Sequence, residues 1–104
     1  MESEARLVMI DGGLPLPELQ HEVVDGRGKL RRLDFAWPRY KVAAEYDGLD
    51  WHSGADAMLA DRGRASALMD VGWTAVSMVF DDVRYRPDEL IARIDAQFGR
   101  ARAA

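Results

Sequence analysis

Cysteine is absent from all 104 residues of this chain. Its absence excludes disulfides, thiolate zinc sites and a cysteine nucleophile, and it suits a reducing, cytoplasmic location. No apolar run approaches the roughly 18 residues of a membrane-spanning helix, so no membrane contact is expected. An excess of positive charge is also lacking, because 18 acidic residues outnumber 14 basic ones and give a net charge of −4. This balance argues mildly against a dedicated nucleic-acid-binding module.

The composition that is present is that of a folded domain. Hydrophobic residues make up 48% of the chain and charged residues 31%, which distinguishes it from a disordered segment. A chain of this length supports one hydrophobic core, so a single domain is expected over residues 1–104. Basic charge is concentrated between Arg27 and Lys41, where six basic residues stand against one acid, Asp34. This basic stripe is compatible with nucleic-acid contact and equally with an ordinary charged surface.

Hydrophobic periodicity and turn residues predict the element order α-β-β-β-α-β-α. The fourth strand follows a helix long enough to let it pair in parallel with a neighbour. The expected fold class is therefore α/β (α+β), with one mixed sheet of about four strands flanked by helices. The residues after Phe98 are expected to fray. The predicted helices cover residues 2–11, 55–71 and 87–98, and the predicted strands cover 18–24, 29–36, 39–47 and 73–80.

Three acidic residues lie on two consecutive predicted strands. Asp34 is on the second strand, and Glu45 and Asp47 share one face of the third because strand side chains alternate. If these strands are neighbours, three carboxylates converge, and a divalent cation is the usual reason to tolerate such repulsion. We therefore predict a metal-dependent phosphodiesterase site. The alternatives are a surface pair between Asp34 and a nearby basic residue, and an ordinary polar strand face at Glu45 and Asp47.

Other charged residues are candidates for a supporting role. His52 lies five residues after Asp47, where it could orient water or protonate a leaving oxygen; an ordinary surface histidine is the alternative. Arginines on the predicted second helix could contact phosphates or form a solvated face. The candidate phosphate contacts are Arg32, Lys41, Arg62 and Arg64.

The order of elements and the acids on the second and third strands resemble the PD-(D/E)XK nuclease superfamily. The likeness is closer to the branch related to very-short-patch repair endonucleases, on the segments RLDFAWPRYKVAAEYDG, DRGRASALMDVGW, FDDV and RPDEL. That branch contains small actinobacterial proteins, often with a winged-helix domain in front of the nuclease-like domain. The resemblance implies a restriction-endonuclease-like fold and hydrolysis of DNA phosphodiester bonds with Mg²⁺ or Mn²⁺.

The resemblance also assigns roles to individual residues. Asp34 and Glu45 match the metal-binding acids, and Glu2 matches the first-helix glutamate that completes the site in many members. His52 matches a histidine that follows the E-x-D-G segment. Asp47 stands where the superfamily signature usually has a lysine, although an acid is common there in this branch. Asp34, Glu45, Asp47 and His52 are thus the expected catalytic residues.

Two departures from the pattern keep a second function open. The signature lysine is missing, and Ser77 occupies a position where relatives often carry arginine. The alternative is a catalytically degenerate nuclease fold that binds DNA or a protein partner within a regulator or an antitoxin-like protein. DNA, single-stranded or double-stranded, is the expected partner, with a homodimer or an N-terminal winged-helix domain as further ones. Residues 1–104 are expected to be either a complete protein or the C-terminal domain of a longer one.

Overall fold

The computed structural model describes residues 1–47 and 55–103, with the side chains of Asp56 and Ala57 excepted. The predicted order of elements is confirmed, with one short helix added before the last. None of the described helices is both long and apolar enough to cross a membrane. The elements are α1 (Glu2–Asp11), β1 (Glu18–Val24), β2 (Leu30–Trp37), β3 (Val42–Tyr46), α2 (Ala55–Met69), β4 (Thr74–Met78), α3 (Phe80–Arg84) and α4 (Pro87–Ala103).

The four strands form one mixed sheet in the order β1-β2-β3-β4. The first three strands are a meander, in which β1 pairs antiparallel with β2, and β2 antiparallel with β3. Helix α2 then crosses over, and β4 pairs in parallel with β3. The parallel pairing predicted for the fourth strand is confirmed. The two consecutive strands that carry the acidic residues are therefore neighbours in the sheet.

Helices cover both faces of the sheet. One face packs against α1, α3 and α4 through a cluster that includes Met9, Phe35, Met78, Ile94 and Phe98. The other face packs against α2 through a smaller cluster of Leu33, Ala36, Ala43, Leu68 and Trp73. Burial of these side chains away from water is the main source of the stability of such a domain.

Helix α2 packs on the sheet through its C-terminal half. Of its side chains that the structure describes, Ala67 and Leu68 alone are buried. Met58, Leu59 and Met69, which follow helical spacing along α2, are more than half exposed. Apolar spacing along this helix therefore does not identify the side chains that pack on the sheet.

The β1–β2 turn holds the C-terminal end of α2. The backbone N–H of Gly26 donates to the carbonyl oxygen of Ala67 at 2.9 Å. A Cβ atom at Gly26 would lie 2.5 Å from the Cβ atom of Asp70, a distance that real Cβ atoms do not adopt. The glycine thus permits a close approach of the turn to the helix, and Gly28, with φ +79°, supplies the left-handed residue of the same turn.

The C-terminal region contains more helix than the sequence predicts. Strand β4 ends at Met78, and the Asp82 carboxylate accepts a hydrogen bond from the Val79 backbone N–H at 2.9 Å at the start of α3. Helix α4 continues to Ala103 instead of fraying after Phe98. The Arg102 guanidinium donates to the Tyr40 hydroxyl at 3.3 Å, which anchors the last turn to the β2–β3 connection.

Candidate active site

Asp34 lies where strand β2 changes the face that it presents. Leu33 packs toward α2, whereas Phe35 packs toward α1 and α4, although residues two apart on a regular strand share a face. The corresponding residue of β1 is Gln20, whose φ of 52° is in the left-handed region. Such a conformation is uncommon for a residue other than glycine and often marks a functional position. The distortion leaves Asp34 half-buried at an irregular point of the sheet.

Asp34 and Glu45 lie on adjacent strands, just beyond the residues through which these strands pair. Strands β2 and β3 pair Trp37 with Val42, Ala36 with Ala43 and Phe35 with Ala44, and Asp34 and Glu45 come next on either strand. One oxygen of Asp34, Oδ2, accepts a hydrogen bond from the Tyr46 backbone N–H at 2.9 Å. The structure therefore brings together the two acids that the resemblance assigns to a metal.

Arg64 of α2 is the cation bonded to Glu45. Its guanidinium donates from Nη1 to Oε1 of Glu45, and the two side chains are only 29% and 13% exposed. The hydrogen bond to Glu45 raises the pKa of Arg64, and the charges of Glu45, Asp34 and Asp47 raise it further against the opposing effect of burial. All three predicted acids thus act electrostatically on one guanidinium.

The three-carboxylate cluster predicted from the sequence is not formed within the described part of the chain. Among residues 1–47 and 55–103, no three Asp, Glu or His side chains are placed to hold one metal ion. Asp47 is exposed just beyond the end of β3, while Glu45 is engaged by Arg64. Unscreened carboxylates repel one another, and the arginine relieves that repulsion.

The donor set nevertheless fits a hard divalent cation. Mg²⁺ in proteins keeps several of its water ligands and is bound through one or two carboxylates. Asp34 and Glu45 provide two such groups on the adjacent strands β2 and β3. The pair that opposes Arg64 is therefore chemically sufficient for an ion of this class.

Glu2 is connected to this region through β1. The Gln20 side-chain amide donates from Nε2 to Oε1 of Glu2 at 2.9 Å. Because Gln20 corresponds in position to Asp34 on the neighbouring strand, the bond places the start of α1 one strand away from the paired acids. The sequence does not indicate the positive φ of Gln20, since glutamine is not a residue that favours positive φ.

Two of the candidate phosphate contacts lie apart from the paired acids. The Arg32 guanidinium is 3.7 Å from the Glu22 carboxylate on β1. Lys41 lies before β3, about 13 Å along the strand from Glu45 at roughly 3.3 Å per residue, and its Nζ donates to the Val71 carbonyl oxygen at 3.3 Å. The surface pair considered for Asp34 with either residue is not what the structure shows.

The remaining candidates divide according to what the structure describes. Arg62 is exposed on α2, in contrast to Arg64 two residues later. Ser77 pairs with Glu45 in the β3–β4 register, and its carbonyl oxygen accepts a hydrogen bond from Arg93 at 2.8 Å. His52 lies outside the described residues, so its role remains a prediction.

Asp25 is a buried acid at the start of the β1–β2 turn. Its Oδ1 accepts hydrogen bonds from the backbone N–H groups of Arg27 and Lys29 at 2.8 and 3.0 Å, and its Oδ2 accepts one from the Arg31 Nε at 2.9 Å. The Arg31 hydrogen bond, followed by those from the backbone, lowers the pKa of Asp25 to about 2. An aspartate that begins an Asp-Gly turn is the signal that could have indicated this structural role.

We expect acid to destabilise the domain through Asp25. Its pKa is depressed in the folded state from an ordinary 3.8 to about 2, so its stabilising effect is complete above pH 3.8 and is lost as the pH falls toward 2. Urea unfolding of the native chain and of Asp25→Asn between pH 5 and pH 2 measures this effect. The native chain should be the more stable at pH 5, and the difference should shrink toward pH 2. A difference independent of pH would contradict the assignment.

Comparisons with known proteins agree with the fold. No protein-family model matches the chain. Two uncharacterized proteins of Mycobacterium tuberculosis, from strains CDC 1551 and H37Rv, are each 54% identical over all 104 residues. The chain spans 38% of the length of these relatives. The solved structure of the catalytic domain of the homing endonuclease I-Bth0305I superposes with a TM-score of 0.69 at 19% identity, covering 96% of this chain and 94% of that domain.

The structural likeness shows the fold. It confirms a nuclease-like, restriction-endonuclease-like α+β architecture across nearly the whole chain. The structural likeness does not distinguish the very-short-patch repair branch from other nucleases of this fold, so membership of that branch remains a proposal. Activity, metal and substrate rest on the geometry of the site.

Proposed function

We propose that this chain is an endonuclease domain that hydrolyses DNA phosphodiester bonds with a bound Mg²⁺ or Mn²⁺ ion. The observation that carries the proposal is the position of the Asp34 carboxylate, which is bonded to the backbone N–H of Tyr46, the residue after Glu45, while Glu45 is bonded to the Arg64 guanidinium. Aspartate is disfavoured within strands, so the position of Asp34 at a distorted point of β2, close to a second acid, is unusual. The nuclease-like fold around these two acids supports a catalytic role for them.

In this mechanism Asp34 and Glu45 would hold the ion, and Asp47 would contribute charge from the outer edge of the site. Such an ion, when bound, would polarise a phosphate oxygen and lower the pKa of an attacking water. The Tyr46 N–H holds one oxygen of Asp34 in place, which leaves the other oxygen as the candidate ligand. Arg64 supplies the positive charge that the superfamily signature places on a lysine. His52 would orient water or protonate the leaving oxygen.

The proposed substrate is DNA, in a form that the site does not distinguish. Arg32, Arg62 and Lys41 are proposed to contribute phosphate attraction outside the catalytic pair, and such attraction weakens steeply with salt. The chain spans 38% of the length of its curated relatives. A winged-helix domain or a second copy of the chain is proposed to contribute to the binding of a DNA duplex. The very-short-patch repair branch and a cytoplasmic location belong to the same proposal.

One observation favours a second function. Glu45 is already neutralised by Arg64, and the described side chains form no three-acid metal cluster. A nuclease fold locked in this state would act as a DNA- or protein-binding module of a regulator or an antitoxin-like protein. The two functions differ in whether the folded chain binds a divalent ion.

Thermal melting with and without millimolar Mn²⁺ tests the proposal. An ion that binds only the folded state raises the melting temperature, and we expect this rise in the native chain and its loss in Asp34→Asn. Asparagine keeps an oxygen that can accept the Tyr46 hydrogen bond, so the variant should fold. Asp95→Asn, an exposed change on α4, should retain the full response. No response in the native chain would remove the metal-dependent function in favour of the binding module.

A further inference from the structure

The Arg64 side chain is largely buried and bonded to an acid of the candidate site. This position differs from that of an exposed surface arginine and from that of an arginine free to contact a phosphate. Arg64 is the one α2 arginine whose side chain, within the described residues, is drawn inward, and its guanidinium bonds to Glu45 while it faces the charge of Asp34. Arg62, two residues earlier, is exposed. The guanidinium therefore occupies the position that the paired carboxylates would offer to a cation.

We propose that Arg64 is an internal counter-ion that exchanges with the divalent ion at Asp34 and Glu45, and that the released guanidinium then binds the phosphate of the DNA strand. This inference rests on the proposed function. Both positions of the side chain are electrostatically satisfied: against the Glu45 carboxylate, with the charge of Asp34 nearby, when the ion is absent, and against a phosphate when the ion holds those carboxylates. Arginine suits the two partners equally because its planar fork matches both groups.

The surroundings of Arg64 are consistent with such an exchange. Before Ala67, α2 has no buried side chain among those that the structure describes, and Arg64 reaches the sheet through its ion pair with Glu45. The helix itself is anchored further along, by Leu68 and by the turn at Gly26. Asp34 keeps its hydrogen bond to the Tyr46 N–H whichever cation it faces. Departure of the guanidinium therefore breaks one ion pair and does not dismantle the packing of α2.

The two proposed roles of Arg64, counter-ion and phosphate ligand, predict opposite effects of its removal on metal binding and on DNA binding. Removal of the guanidinium frees Glu45 for the ion, so affinity for the ion should rise. The same removal takes away a phosphate ligand, so DNA binding and cleavage at saturating ion should fall. A purely structural ion pair would weaken both through loss of fold, and a pure phosphate contact would leave ion affinity unchanged.

Isothermal titration with Mn²⁺ on the native chain, Arg64→Gln and Arg62→Gln separates these cases. We expect the Mn²⁺ dissociation constant of Arg64→Gln to fall by about tenfold, the size of effect that one partly buried neighbouring charge exerts. Arg62→Gln should keep the native Mn²⁺ dissociation constant, because its side chain is exposed and is not bonded to Glu45. At saturating Mn²⁺ Arg64→Gln should bind and cleave a duplex more weakly than the native chain.

Arg64→Lys keeps the proposal testable if the glutamine variant does not fold. Its ammonium retains the charge but lacks the planar fork of the guanidinium, so its Mn²⁺ affinity should lie between those of the native chain and Arg64→Gln. Equal Mn²⁺ affinities in all folded variants would overturn the exchange and leave the proposed nuclease intact. The absence of binding heat in every variant, Arg64→Gln included, would overturn both.

Discussion

Replacement of Glu45 by glutamine is expected to reduce metal-dependent DNA cleavage by about a thousandfold or more. The change removes one of two charged ligands from the proposed ion site, and an ion at such a site stabilises the transition state by several kcal/mol, where each 1.36 kcal/mol is a factor of ten in rate. Glutamine keeps the length of the side chain and an oxygen that can accept the Arg64 hydrogen bond. The loss should therefore occur in a folded protein, measured as the initial rate of nicking of a supercoiled plasmid in Mn²⁺.

The control for this loss is Glu22→Gln. Glu22 is an exposed glutamate on β1 whose partner is Arg32, so the same chemical change there should leave the rate within a few-fold of native. A Glu45→Gln protein that folds and cleaves at the native rate would show that Glu45 holds no ion. A native chain without cleavage on duplex or single strands, but with a Mn²⁺-dependent rise in melting temperature, would instead assign the site to binding.

The adjacency of the strands that carry Asp34 and Glu45 was accessible from the sequence because it depends on strand order. Two consecutive strands separated by a short turn are normally neighbours, and the break at Trp37-Pro38 sets their register within narrow limits. The face of Asp34 was not accessible in the same way. It depends on a switch between Leu33 and Phe35 opposite Gln20, and a count of alternating residues assumes that no such switch occurs.

The contact of Arg64 with Glu45 depends on how α2 docks on the sheet, which the sequence pattern does not specify. Spacing along α2 sets which residues share a helical face, but it does not set which face turns toward the sheet. Met58, Leu59 and Met69 are apolar but exposed. The helix is oriented instead by the buried Ala67 and Leu68 and by the close approach of Gly26 to its C-terminal end. That orientation turns Arg64 toward Glu45 and leaves Arg62 outside. The counter-ion could therefore be found only once the docking of the helix was known.

Truncation of Phe98 to alanine is expected to lower the free energy of unfolding by about 3–5 kcal/mol. Phe98 is 1% exposed, and its ring lies 5.2 Å from that of Trp37 and 4.8 Å from that of Tyr40 between ring centroids. A loss of this size is a large fraction of the 5–15 kcal/mol typical of a domain, and for about 100 residues it lowers the melting temperature by roughly 12 °C or more. Urea and thermal unfolding of the variant measure both quantities.

The same substitution decides between two descriptions of the C-terminal region. If the chain frayed after Phe98, as its composition suggests, the ring would sit at a loose end and its removal would cost little. If α4 runs to Ala103 with Arg102 bonded to Tyr40, the aromatic cluster closes that end of the core and the full cost should appear. Arg100→Ala, an exposed change one turn from the same cluster, should alter stability by no more than about 0.5 kcal/mol. Equal, small losses in the two variants would show that the end of α4 is not packed as described.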